Sequence, residues 1–252
     1  MYFITVANKP KPELDILKKS CELNGIELKV LGLDMPNIKI GHGIGFGQKL
    51  MLLRNYLQNL NNNDIFVFVD AYDVVVTCDA KEILTKFLSF NTKILFSAEK
   101  YCWPDQNKTN KYKINNTNQP NFLNSGTFMA YVQPFKQFYD ENSSIINEQT
   151  DDQRYYTNLY LKYQNNPNFI TLDRESKIFM CLAGSNDIKF DPVKNRYRNT
   201  KTNQYPCIIH ANGGKKDFIY EHSKKIITNN KINLVLVLCF LLLIAIIIYY
   251  CL

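Results

Sequence analysis

Five consecutive apolar residues, Ile65-Phe66-Val67-Phe68-Val69, run straight into Asp70-Ala71-Tyr72-Asp73. A run without polar alternation reads as a strand buried on both faces, and such strands belong to sheets covered by helices on each side. Tyr2 to Ala7, Glu27 to Leu33 and Lys93 to Ala98 read as further strands. Between them, Pro12 to Asn24, Gln48 to about Asn59 and Ala80 to Phe90 read as helices, the first with Leu14, Leu17 and Cys21 on one face. Strands alternating with helices predict an α/β fold with a mostly parallel sheet flanked by helices. Ligands in such sheets bind beyond the carboxyl ends of the strands, and Asp70 lies at one of those ends.

At 252 residues the chain can bury one sizeable core. Its formal net charge of +7 is scattered over pairs such as Lys18-Lys19, Lys215-Lys216 and Lys224-Lys225, so no nucleic-acid partner is expected. Seven cysteines, an odd number with no CxxC spacing, predict neither a zinc site nor a disulfide framework, but free thiols in a reducing compartment. Residues 104–121 are polar and rich in Asn and Lys, which predicts a flexible loop.

Asp70 and Asp73 stand three residues apart just off the buried strand and could share a hard divalent cation such as Mn²⁺ or Mg²⁺. A capped turn or a surface pair is the alternative. The glycine-rich stretch 41–47 could cradle a phosphate but matches neither GxGxxG after a strand nor a P-loop. Lys49, just inside the next helix, could reach such a phosphate, but taken alone it reads first as a solvated helix lysine. Phe122-Leu123-Asn124-Ser125-Gly126-Thr127-Phe128 reads as a polar turn before an apolar stretch, where Asn124 could bind sugar hydroxyls. Asp151-Asp152 opens a helix, either as a catalytic pair that could act as a base on a hydroxyl or as a cap. Near the end, Ile208-Ile209 delivers His210 into Ala211-Asn212-Gly213-Gly214-Lys215; the imidazole could complete a metal site and Lys215 could pair with phosphate.

The last nineteen residues, Leu234 to Leu252, carry no charge and would span about 28 Å as a helix, close to the thickness of a bilayer core. Residues 223–233 form a basic linker before them. With no signal peptide at the start and lysines on the N-terminal side of the span, a single-pass, tail-anchored membrane protein is expected. Residues 1 to about 225 would face the cytoplasm, from a host or virion membrane if the source is viral. The sequons at Asn107, Asn115 and Asn142 would then go unused.

Taken in order, Ile4-Thr5-Val6-Ala7, Gly47-Gln48-Lys49, Phe68 to Val74, Phe96-Ser97-Ala98-Glu99 with Cys102-Trp103-Pro104, Phe122 to Gly126, Asp151-Asp152-Gln153 with Tyr156-Thr157, Lys177-Ile178-Phe179 and Ile209 to Gly213 resemble the glycosyltransferase domain of the multifunctional procollagen lysyl hydroxylases. The resemblance runs from about Phe3 to about Tyr220, so residues 1–222 are expected to form that domain. It implies a GT-A-like, Rossmann-type fold, a UDP-sugar donor, UDP-galactose or UDP-glucose, and Mn²⁺ or another divalent cation. The acceptor would be a protein or glycan hydroxyl, such as hydroxylysine or galactosyl-hydroxylysine of a collagen-like protein.

By position, the resemblance makes Asp70, Asp73 and His210 metal ligands and stacks Tyr72 on uracil. Thr5 and Lys49 would contact the nucleotide, Trp103 would border the sugar pocket, and Asn212, Gly213 and Lys215 would line the diphosphate. Asp151 and Asp152 would face the sugar or acceptor. The chain departs from the family in its shorter acidic run before Gln153 and in Ala211, where the family has glycine. An inactive membrane-anchored nucleotide-sugar-binding protein and a nucleotidyltransferase are the alternative functions.

Overall fold

The computed structural model describes residues 1–35, 38, 46–114, 116–141 and 143–225. Most of the glycine stretch at 41–47, the end of the basic linker and the apolar run 234–252 lie outside the described residues. No helix among the described residues is long and apolar enough to cross a membrane.

Strands β1 (Tyr2–Val6), β2 (Leu28–Leu31), β3 (Ile65–Val69), β5 (Ile94–Glu99), β6 (Phe122–Tyr131) and β7 (Ile170–Asp173) form one sheet in the order β2-β1-β3-β6-β5-β7. β1 is parallel to β2 and β3, and β5 is parallel to β7, while β6 runs antiparallel to both β3 and β5. The expected mostly parallel sheet therefore has one reversed strand near its middle. A smaller sheet holds β4 (Val74–Val76), β11 (Ile208–His210) and β8 (Phe179–Cys181) in the order β4-β11-β8. β9 (Ile188–Asp191) and β10 (Arg196–Asn199) make an antiparallel pair.

The continuous apolar runs are explained by two cores, one on each face of the large sheet. Successive residues of a strand point to opposite faces. Ile4, Phe66, Phe68, Phe96 and Phe128 meet helices α2 (Gly47–Leu57), α4 (Val132–Asp140) and α5 (Asp152–Tyr163). Phe3, Val67, Val69, Leu95 and Met129 face α1 (Pro12–Leu23), α3 (Ala80–Ser89) and the small sheet. On the first face Phe128 is the hub: its ring lies 4.9 Å from Phe68, 4.8 Å from Phe96, 5.2 Å from Phe135 and 5.2 Å from Tyr156. Tyr139 and Tyr156, both buried there, share one hydroxyl–hydroxyl bond of 2.7 Å, so neither polar tip is left bare. A third cluster packs the outer side of β4, β8 and β11 under Tyr197 and a helix over residues 217–225, here α6.

Two expectations are corrected. The polar turn at Phe122 to Phe128 is the first half of the ten-residue strand β6. Its register against β5 jumps between Phe96↔Phe128 and Ser97↔Asn124, so the polar residues form a bulge within a strand. Segment 104–121, expected as a loop, contains a 3₁₀ helix, Gln106–Lys111, and the buried ring of Tyr112. Lys108 ties that helix to Asp105 at 2.7 Å and to Asn158 of α5 at 2.8 Å.

Candidate active site

Asp70 follows β3, and its backbone N–H donates to Gly126 O on the β6 bulge at 2.7 Å. Asp73 precedes β4, and its carbonyl accepts from Ala211 N at 2.7 Å. His210 ends β11, opposite Val74. Three elements distant in sequence thus place Asp70, Asp73 and His210 together. One ligand atom from each lies within 4.8 Å of the other two. His210 Nε2 stands 3.2 Å from Asp73 Oδ1 and 3.8 Å from Asp70 Oδ2, and Nδ1 is 3.0 Å from Asn124 Oδ1.

The space beneath this cluster exists because residue 126 is glycine. A Cβ there would fall 2.2 Å from His210 Cε1 and 2.6 Å from Asp70 Oδ2. Burial disfavours charge on these groups, and the balance differs between them. His210 is held well above the ordinary histidine range because Asp73 outweighs the burial. Asp73 is lowered, since His210 outweighs the same effect. Asp70 is raised, because desolvation exceeds the help from Lys49.

Lys49 corrects an expectation. It is buried in the first turn of α2 rather than solvated, with Nζ 2.7 Å from Asp70 Oδ1 and 2.6 Å from Asp152 Oδ2. A lysine is poorly placed at a helix N-terminus, and the two carboxylates compensate. Burial opposes its charge, yet Asp152 and Asp70 together raise its pKa.

The acidic pair divides its work. Asp151 is the cap of α5, its Oδ1 accepting from Arg154 N at 2.8 Å, and it is partly exposed beside Arg154. Asp152 turns inward to Lys49. The next residue, Gln153, clamps the β6 bulge, accepting from Ser125 N at 2.8 Å and donating to Leu123 O at 2.5 Å.

Glu99 is the member of the site to which sequence reasoning gave no role. It ends β5, as Asp70 follows β3, and a carboxylate at the end of a buried strand was the available signal. Asn212 Nδ2 donates to its Oε2 at 2.9 Å, while Asn212 Oδ1 accepts from Leu182 N and Ala183 N at 3.1 and 3.0 Å. Burial pushes Glu99 up to about 7, against the opposing influence of Asn124, His210 and Asn212. Asn124 therefore joins Glu99 to His210 on the bulge.

The remaining expected residues lie apart from this cluster or around it. The hydroxyl of Tyr72 accepts from Asn8 N and Lys9 N at 3.1 and 3.0 Å, and Lys11 Nζ sits 4.6 Å from its ring centroid. Thr5 is fully buried on β1, so it offers no surface to a nucleotide, and its Oγ1 has no hydrogen-bond partner among the described residues. Trp103 is 60 % exposed beyond β5. Gly213 adopts φ +63° against Ala183, a backbone conformation that favours glycine. Lys215 is exposed, with Nζ 3.3 Å from Asn186 Oδ1.

Carboxylates at the carboxyl ends of sheet strands, a histidine closing on them and helices on both faces make an α/β fold with a candidate metal site at its strand ends. A glycosyltransferase involved in glycosylation of the major capsid of PBCV-1 has this fold, with a TM-score of 0.50 and 11 % identity over 88 % of this chain and 98 % of its own. The profile of the PLOD GT domain matches residues 1–229, and the chain belongs to that family. It is 36 % identical over 228 residues to procollagen-lysine,2-oxoglutarate 5-dioxygenase of Drosophila melanogaster, covering 84 % of this chain and 30 % of the fly protein. It is 31 % identical over 221 residues to the multifunctional procollagen lysine hydroxylase and glycosyltransferase LH3 of Homo sapiens, again 84 % and 30 %. The chain thus spans under a third of the length of these relatives.

Proposed function

We propose that the chain transfers a hexose, galactose or glucose, from a UDP-sugar to a hydroxyl acceptor, with hydroxylysine or galactosyl-hydroxylysine of a collagen-like protein as the acceptor class. The observation that carries this reading is the convergence of Asp70, Asp73 and His210 over Gly126. Two carboxylates and an imidazole suit Mn²⁺ or a similar divalent cation, and the space that a Cβ at 126 would fill leaves room at the cluster. When bound, such an ion offsets the charge that develops on the departing diphosphate. The protein's own part is positional. Asn124 orients the His210 ring, Ala211 N fixes the Asp73 backbone, and Lys49 spaces Asp70 from Asp152. Asp152 is the member of the acidic pair tied to the site through Lys49, while Trp103 would border the sugar pocket and Asp151 would face the sugar or acceptor. Tyr72 would take the uracil on the ring face away from Lys11, with Asn212, Gly213 and Lys215 near the diphosphate.

The apolar run 234–252 belongs to the same proposal as a membrane anchor, with the domain on the cytoplasmic side. Protease accessibility of the domain in sealed membranes tests it, and protection from added protease would refute that orientation.

The central experiment incubates the full chain with UDP-galactose or UDP-glucose, with and without Mn²⁺ and a hydroxylysine peptide, and measures UDP. Metal-dependent UDP release is expected, with Asp70→Asn lowering it about 10³-fold. Intact UDP-sugar alongside consumption of nucleoside triphosphates would instead identify a nucleotidyltransferase. Binding without turnover would identify the inactive alternative.

A further inference from the structure

The β4–β11 ladder has a second cluster at the end away from His210. Cys78 lies just beyond β4 and Cys207 just before β11, where Thr77 N donates to Cys207 O at 2.8 Å. Both thiols are free and buried, and together with a Glu82 carboxylate oxygen their sulfurs lie within 4.8 Å of one another. Glu82 sits in the first turn of α3, where its Oε1 is 3.6 Å from Cys207 Sγ.

Two donor sulfurs and a carboxylate could suggest a soft cation, but the surrounding charge opposes one. Lys86 Nζ lies 2.8 Å from Glu82 Oε1, and Arg196 Nη1 lies 2.9 and 2.8 Å from the two Glu82 oxygens. The same cations reach the sulfur: Lys86 Nζ is 3.4 Å and Arg196 Nη2 3.9 Å from Cys207 Sγ. An ammonium and a guanidinium at this point repel a metal ion and give the Cys207 sulfur a cationic setting. The Cys78 thiol is pushed up first by its hydrogen bond to Cys207 and then by burial, so Cys78 keeps its proton. The two sulfurs are thus in unequal settings, as an attacking and a resolving thiol require.

We propose that Cys78 and Cys207 form a peroxide-responsive dithiol that closes to an intramolecular disulfide. The Cys207 thiolate attacks one oxygen of hydrogen peroxide, the O–O bond breaks, and hydroxide leaves and takes up a proton as water. This produces a sulfenic acid on Cys207. The Cys78 sulfur then attacks the Cys207 sulfur, the S–S bond forms, and the second oxygen leaves as water with the Cys78 proton. Two thiols are oxidised and one peroxide is reduced by two electrons. The bond would join β4 to β11 at the end opposite Asp73 and His210, cross-linking the ladder that carries both. This modification is independent of sugar transfer.

The test treats the full reduced chain with stoichiometric hydrogen peroxide and maps its peptides without reduction. A Cys78–Cys207 cross-link is expected, lost on adding dithiothreitol, with a higher thermal midpoint in the oxidised chain. In Cys78→Ser the sulfenic acid has no resolving partner, so dimedone should label Cys207 roughly tenfold above the other cysteines. In Cys207→Ser, Cys78 should stay unlabelled. Unreacted thiols at both positions, first labelling elsewhere, or a chain holding zinc through Cys78 and Cys207 would each overturn the proposal. The isosteric serine variants are checked by circular dichroism, and the wild-type cross-link requires no substitution.

Discussion

The two ends of the β4–β11 ladder carry clusters of opposite electrostatic character. At the His210 end, four carboxylates, from Asp70, Asp73, Glu99 and Asp152, stand with one lysine and one histidine. At the Cys207 end, one carboxylate, from Glu82, meets Lys86 and Arg196. The same pair of strands thus presents a cation-seeking group at one end and an anion-stabilising one at the other. Backbone pairing sets the spacing at both ends, and the side chains decide what each end attracts.

The largest break in this contrast should come from Lys49→Met. Removing the ammonium leaves Asp152 buried without its partner, and breaking a buried pair costs about 3–5 kcal/mol. Urea denaturation measures it, and an unchanged midpoint would show that Asp152 simply takes up a proton. Next is Gly126→Ala, whose Cβ must displace the His210 ring or the Asp70 carboxylate. Sugar-transfer activity should fall about 100-fold with the circular dichroism spectrum preserved, a loss near that of a displaced site group.

Acid should act at the cysteine end. His222, buried near Tyr197 and Phe218, is lowered to about 4 by burial, with Lys225 adding to the effect. Its folded pKa lies below the ordinary value of 6.5. The unfolded chain therefore binds the proton first as pH falls, and stability present above about 6.5 is lost towards about 4. The loss attributable to His222 should reach about 2–3 kcal/mol, and His222→Leu should remove that part of the pH dependence of the urea midpoint. Smallest is Glu82→Gln. It removes the counter-charge of Arg196 and Lys86, which keep their bonds to backbone carbonyls at Tyr205 and Pro206, so a stability change of about 1 kcal/mol is expected by thermal melting.

The elements were legible where a local pattern carried the signal. Ile65–Val69 is a strand in the structure with those same bounds, because a residue run buried on both faces needs no knowledge of its neighbours. Pro12–Leu23 was legible from the spacing of Leu14, Leu17 and Cys21, and Ala80–Ser89 ends one residue short of the helix expected there. Asn124 and Gly126 were misread because a bulge is defined by the register of two strands, and a single strand's sequence looks like a turn there. Lys49 was read as solvated because its burial depends on Asp152, a residue about a hundred positions away.

By itself, the sequence determined an alternating α/β chain, the exit of Asp70 from a buried strand and membership of a family whose ordered motifs it carries. Those are properties of contiguous residues, set by side-chain period and local backbone preference. Only the tertiary structure decided that Asp70, Asp73 and His210 meet over Gly126, that Lys49 is shared with Asp152, and that Cys78 faces Cys207. Those distances come from strand order, register and helix packing, which join segments that no local pattern links.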